Sequence, residues 1–119
     1  MKPGYTGIKR LVHAAKFSMQ GLAACFRHES AFRQETALMV VAIPLGLWLG
    51  ENGLERAVLV AVVLLIPIVE LLNTGVEYVV DRFGSEMNDL SGRAKDVGSA
   101  AVLLSIILAI VVWVLILTG

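Results

Sequence analysis

The sequence predicts an all-α membrane protein: an N-terminal amphipathic interfacial helix followed by three transmembrane helices. Three observations predict it. Hydrophobic residues fill 57% of the 119 positions and mean hydropathy is +0.79, more apolar surface than a chain this short can bury in a water-soluble core. Uncharged apolar runs recur at 37–50, 57–69 and 97–118. Ahead of them, positions 1–28 hold Lys2, Lys9, Arg10, Lys16 and Arg27 and no acid, a basic lead suited to an anionic lipid surface and a cytoplasmic N-terminus. The length fits one domain, 1–119. Cys25 is alone, so no internal disulfide is expected. The first long apolar run begins too late for a cleavable signal peptide.

The first element spans 5–28. Ile8, Val12, Ala15, Met19, Leu22 and Phe26 recur at helical spacing on one face, with Lys9, His13, Lys16, Gln20 and Arg27 in a stripe beside it. A basic amphipathic helix ahead of membrane spans is expected to lie in the interface. The first two apolar runs are shorter than the ~20 residues that cross a bilayer. Each becomes a span only when its polar extension joins the helix, which gives helices at 29–49, 54–82 and 93–117.

Lysine and arginine then set the topology. The "ENGLER" link carries Arg56 alone, whereas "DRFGSEMNDLSGRAK" carries Arg82, Arg93 and Lys95. The N-terminus is expected inside and the C-terminus outside, with Trp48 and Trp113 near the outer interface. On that topology the unusual polar residues gather at one level. Glu29, Arg33, Gln34 and Glu35 open the first span. Glu70, Asn73, Glu77 and Asp81 close the second, and Lys95 and Asp96 open the third.

Glu70, Asn73, Glu77 and Asp81 follow an i, i+3, i+7, i+11 pattern, which keeps them on one side of a helix. Glu70 and Glu77 are ~10.5 Å apart along its axis. Glu70 is the deeper, and a carboxylate at that depth is a candidate proton acceptor. The structural alternative is a hydrogen bond or ion pair with Asn73 or Arg33. Two carboxylates from different helices, such as Glu29 and Glu77, suit Mg²⁺, which takes one or two carboxylates plus substrate phosphates. Lys95 adds a point charge for phosphate. Together these residues suggest phosphoryl transfer from a water-soluble donor to a lipid acceptor.

Other chemistries fit less well. The sequence has no G-x-x-x-x-G-K-[ST] loop, no protein-kinase signature set and no H-E-x-x-H motif. "SGRAK" stands apart from aromatic residues, so nucleic-acid binding is not indicated. A transporter would need polar residues continuing to the outer side, yet 57–69 and 97–109 offer only Ser99 and Ser105. An assembly subunit could pack through Gly75, Gly98, Ala100 and Ala101, but that role leaves the acids unexplained.

Three segments carry a resemblance: "ESAFRQE" at 29–35, "VELLNTGVEYVVDRFGSE" at 69–86 and "LSGRAKDVGSAAVL" at 90–103. In this order and spacing they resemble the bacterial diacylglycerol kinases, small three-span enzymes of the inner, cytoplasmic membrane. The resemblance covers nearly the whole chain. It implies a homotrimeric bundle with active sites shared between subunits and a periplasmic C-terminus. It also implies transfer of the γ-phosphate of Mg²⁺-bound ATP to diacylglycerol, giving phosphatidic acid. By motif position Glu70 resembles the catalytic base, Glu29 and Glu77 the metal carboxylates, and Asn73 a positioner beside the transferred phosphate. Lys95 and Asp96 resemble phosphate and nucleoside contacts, with Glu86, Met87 and Asn88 near the nucleotide. Arg10, Phe17, Ser18, Glu35 and Ser99 resemble further parts of the nucleotide and lipid site. Pro44, Pro67 and Met19 depart from the family pattern. "VGSAAV" after "AKD" favours diacylglycerol over undecaprenol, which related proteins phosphorylate.

Overall fold

The computed structural model describes residues 6–83 and 89–119. They form four α-helices: α1 (Gly7–His28), α2 (Ser30–Leu49), α3 (Gly53–Arg82) and α4 (Asp89–Thr118). There is no strand among the described residues. Helix α3 packs against both α2 and α4, and α1 meets the others chiefly through α2. The assembly is thin, 48 × 41 × 22 Å, with a radius of gyration of 17.4 Å. A compact globule of this length would have roughly 13.5 Å. One layer of helices cannot enclose an apolar core, so most large hydrophobic side chains remain exposed.

Helix α1 leaves its apolar face uncovered: Ile8, Val12, Met19, Leu22 and Phe26 are all exposed. A single extended residue, Glu29 (φ −116°, ψ 110°), separates it from α2. The break is firmly held. Glu29 N–H donates to Cys25 O at 2.8 Å, and Arg33 N–H donates to Glu29 O at 3.2 Å. The Arg33 guanidinium donates to Phe26 O at 2.8 Å and Arg27 O at 3.1 Å, satisfying carbonyls that a helix end leaves without partners.

The turn from α2 to α3 is equally tight. Asn52 caps α3 by accepting from Glu55 N–H at 2.9 Å, while Glu55 Oε1 accepts from Glu51 N–H at 3.0 Å. Arg56 Nε donates to Gly50 O at 3.2 Å. A Cβ on Gly50 would sit 2.6 Å from Arg56 Cγ, so only glycine lets the arginine fold back here. Helices α2 and α3 run unbroken through Pro44 and Pro67, although each proline removes one i→i−4 donor.

The buried residues of α3 are Leu59, Val63, Ile66, Pro67, Glu70, Asn73 and Thr74. Alternating steps of four and three draw one seam along the helix. Its first half is aliphatic and its second half polar. At the aliphatic end Gly46 of α2 lets the helices close in, since a Cβ there would lie 3.2 Å from Leu59 Cβ and 3.5 Å from the Trp113 ring. Trp113 Nε1 donates to Leu59 O at 3.1 Å, joining α4 to the same place.

Among the described residues two helices, α3 and α4, are long and apolar enough to cross a membrane. Helix α4 is the more apolar of the two, yet little of its apolar stretch is buried. Apolar surface on that scale demands lipid or protein cover. Helix α4 opens at Asp89, earlier than its apolar run, because 89–96 continues the helical turn with Asp89 placed where acids favour a helix start.

Candidate functional site

The polar half of the α3 seam is the candidate site. Glu70 and Asn73 are each 8% exposed and Thr74 2%. Charged and amide groups are rarely buried without partners, so their neighbours define the chemistry. Glu70 faces α2, where it meets the side chain of Glu35. Glu35 Oε2 is buried with no hydrogen-bond partner. Two acids held face to face need a shared proton or a cation between them. Arg33 does not serve Glu70, because it caps the end of α1.

Asn73 faces α4. Its amide Nδ2 donates to Glu77 Oε1 at 2.9 Å, and its Oδ1 is buried without a hydrogen-bond partner. That oxygen rests against Gly98, where a Cβ would collide with it. Glycine at 98 is therefore a requirement of the Asn73 position. Glu77 is half-buried one turn further on.

Glu29, at the break between α1 and α2, does not cap α2 with its side chain. Its Oε2 instead accepts the Tyr78 hydroxyl at 3.0 Å. Glu29 and Glu77 thus approach from different segments, with Tyr78 next to Glu77 in sequence as the link. Cys25 is buried close by. Burial first, and then the charges of Glu29 and Glu70, push its thiol above the ordinary value. Toward the C-terminal end of α3, Lys95 of α4 pairs with Asp81 at 2.6 Å.

Glu29, Glu35, Glu70, Asn73 and Glu77 thus lie on facing elements around one seam. Arg10, Phe17 and Ser18 are exposed on α1, and Ser18 Oγ donates within its own helix to Ala14 O at 2.8 Å. Among the described residues no hydrogen bond or ion pair ties them to the Glu70 group. Asp96 and Ser99 are exposed on α4. Glu86, Met87 and Asn88 lie outside the described residues. The sequence reading missed Tyr78 and, although it named Gly98 as a packing residue, missed Asn73 as its partner. Nothing in spacing marks either one, because each acts on another helix.

Among the described residues there is no group of three His, Cys, Asp or Glu side chains able to hold a metal. The donors nonetheless fit Mg²⁺, which needs only one or two carboxylates beside phosphate oxygens and water. Glu29 and Glu77 each have one oxygen engaged by a donor, which leaves a second carboxylate oxygen on each for other contacts. Beside Asn73 an apolar groove of about 630 Å³ runs between α3 and α4. Val69, Leu72, Val76, Val97 and Ala101 line it, with Arg93 as its charged member.

The chain is similar to known proteins along most of its length. The family model described as prokaryotic diacylglycerol kinase matches residues 16–117. A diacylglycerol kinase of Escherichia coli K12 is 47% identical over 112 residues, covering 94% of this chain and 92% of that protein. One from Pseudomonas aeruginosa PAO1 is 47% identical over 116 residues, covering 98% and 94%. One from Helicobacter pylori 26695 is 38% identical over 111 residues, covering 93% and 87%. With the family match running from the middle of α1 almost to the end of α4, the chain belongs to the prokaryotic diacylglycerol kinase family.

Proposed function

We propose that this protein is a membrane-embedded lipid kinase that transfers the γ-phosphate of ATP to the hydroxyl of diacylglycerol, giving phosphatidic acid. The observation that carries the reading is the change of character along the α3 seam. Apolar packing through Ile66 gives way at Glu70 to buried acids and an amide, which suits chemistry at the depth of a lipid headgroup. The apolar groove that Asn73 helps to line favours an acceptor with hydrocarbon chains over a water-soluble one.

Glu70 is the general base for the acceptor hydroxyl, placed by its burial where a lipid hydroxyl rather than water would reach it. Glu35, facing it, holds Glu70 in place through their side-chain contact. Asn73 orients Glu77 through its amide. Glu29 and Glu77 hold Mg²⁺ together with the nucleotide phosphates, where the ion supplies charge neutralisation at the phosphate oxygens. Lys95 and Asp96 contact phosphate and nucleoside at the cytosolic rim, with Glu86, Met87, Asn88 and Ser99 nearby. Arg10, Phe17 and Ser18 complete the site only when a neighbouring surface closes over α1.

The three-span reading follows from α2 joining α3 and α4 in the bilayer, with its polar first turn at the cytosolic interface. The N-terminus is then cytoplasmic and the C-terminus periplasmic, in the inner membrane. A homotrimer would cover the apolar faces that one layer of helices leaves bare and would build each site between two subunits.

The test is a transfer assay on the purified protein in mixed micelles with Mg²⁺ and γ-labelled ATP, offering diacylglycerol and undecaprenol separately. Label in phosphatidic acid is the expected result. Label only in undecaprenyl phosphate would overturn the acceptor, and label in neither would overturn the kinase.

A further inference from the structure

Tyr78 stands outside the chemistry assigned above, yet it makes the one side-chain hydrogen bond that joins α3 to the α1–α2 break among the described residues. Glu29 has its backbone fixed on both sides by hydrogen bonds to Cys25 and Arg33. Its side chain is long, half-buried and unused for capping. Left alone, such a carboxylate would sample several rotamers. The Tyr78 hydroxyl takes one oxygen, Oε2, at 3.0 Å. The other is then presented from a defined position. Tyr78 follows Glu77 directly on a continuous helix, so the donor that orients one carboxylate is rigidly connected to the other.

We infer that Tyr78 is a positioning residue for a divalent cation shared by Glu29 and Glu77, acting through its hydrogen bond to Glu29. The inference rests on the proposed metal role of those two acids. Asn73 does the same for Glu77 from the same helix, so each carboxylate of the pair has its own donor. Groups that hydrogen-bond to metal ligands orient them, and their removal typically weakens metal binding about 10–100-fold. A tyrosine that merely stapled two helices would lower stability and leave metal affinity alone.

The experiment measures Mn²⁺ affinity directly, by electron paramagnetic resonance, on the full-length protein in micelles with a non-hydrolysable ATP analogue. Tyr78→Phe, Glu29→Gln and the double variant are compared with the parent. Tyr78→Phe removes only a hydroxyl from a ring that is 47% exposed, so the fold is expected to survive, with circular dichroism as the check. The expected result is a Mn²⁺ affinity weakened about 10-fold or more in Tyr78→Phe, with no further loss when the change is added to Glu29→Gln. A normal affinity in Tyr78→Phe beside a weakened one in Glu29→Gln would overturn the role of Tyr78 alone. A normal affinity in Glu29→Gln would overturn the metal reading itself, and the inference with it. As a second measurement, the parent labelled with 3-fluorotyrosine should shift its Tyr78 fluorine resonance when Mg²⁺ and the analogue are added. No shift would count against the inference.

Discussion

Replacing Gly98 with alanine should disable the protein through one contact. The new Cβ would overlap Asn73 Oδ1 and lie 3.1 Å from Asn73 Cγ. Asn73 is 8% exposed, and the space beside it is the apolar groove, where a displaced amide finds no polar partner. Forcing it aside breaks the 2.9 Å bond to Glu77. Overpacking of this kind costs about 1–3 kcal/mol, and a hydrogen bond to a charged acceptor contributes about 1.5–3 kcal/mol. The two losses share one side chain and do not simply add, so a stability loss of about 2–4 kcal/mol is expected. Unfolding in mixed micelles, followed by circular dichroism, measures it. The decisive comparison uses an Asn73→Ala background. There the added methyl group would face only the Cβ of residue 73, at an ordinary 3.8 Å, and Gly98→Ala should then cost less than about 1 kcal/mol. Equal costs in the two backgrounds would refute the reasoning.

Four further outcomes are expected. Glu70→Gln keeps the side chain's size and should leave the fold intact while removing phosphate transfer, on the order of 10²-fold or more for a lost general base; normal turnover would exclude that role. Glu77→Gln should raise the Mg²⁺ concentration needed for half-maximal activity, and an unchanged requirement would count against metal binding. Because the Cys25 thiol is buried and lifted above its ordinary value, its folded form holds the proton to higher pH. Alkylation of Cys25 should therefore be slower than for a free thiol at neutral pH and should accelerate as pH rises. Gly46→Val should separate α2 from Leu59 and Trp113 and lower stability by about 1–3 kcal/mol, without changing the Mg²⁺ requirement.

What could be read from the sequence was whatever obeys a single helix's period. Glu70, Asn73 and Glu77 fall on one side of α3 because seven residues make almost two turns. The amphipathic face of α1 is legible for the same reason. Contacts between helices were not legible. Tyr78 lies one residue from Glu77, so spacing alone turns it away from the acids; it reaches Glu29 because the α1–α2 break sits beside that turn of α3. Gly98 reads as one small residue among several, and only the position of Asn73 makes it specific. Arg33 looked like a partner for Glu70, but its guanidinium instead donates to the carbonyls of Phe26 and Arg27 at the end of α1, which a helix end leaves without helical donors. The start of α4 was hidden because polar residues lengthen the helix beyond its apolar run.

The turn between α2 and α3 also bears on how the chain enters a bilayer. On the proposed topology Arg56 must cross to the periplasm, and a translocated arginine opposes insertion. Here its Nε is already bonded to Gly50 O, at the carbonyl end of α2, where a cation is electrostatically favoured. The turn also satisfies the Glu55 amide of α3 through the Asn52 side chain, and its own Glu51 amide through the Glu55 carboxylate. Helices α2 and α3 could therefore enter the bilayer together as a preformed hairpin, its tip carrying few unmet polar groups. Gly50, which leaves room for the arginine's return, would then influence biogenesis more than catalysis, and its replacement would show first as protein missing from the membrane.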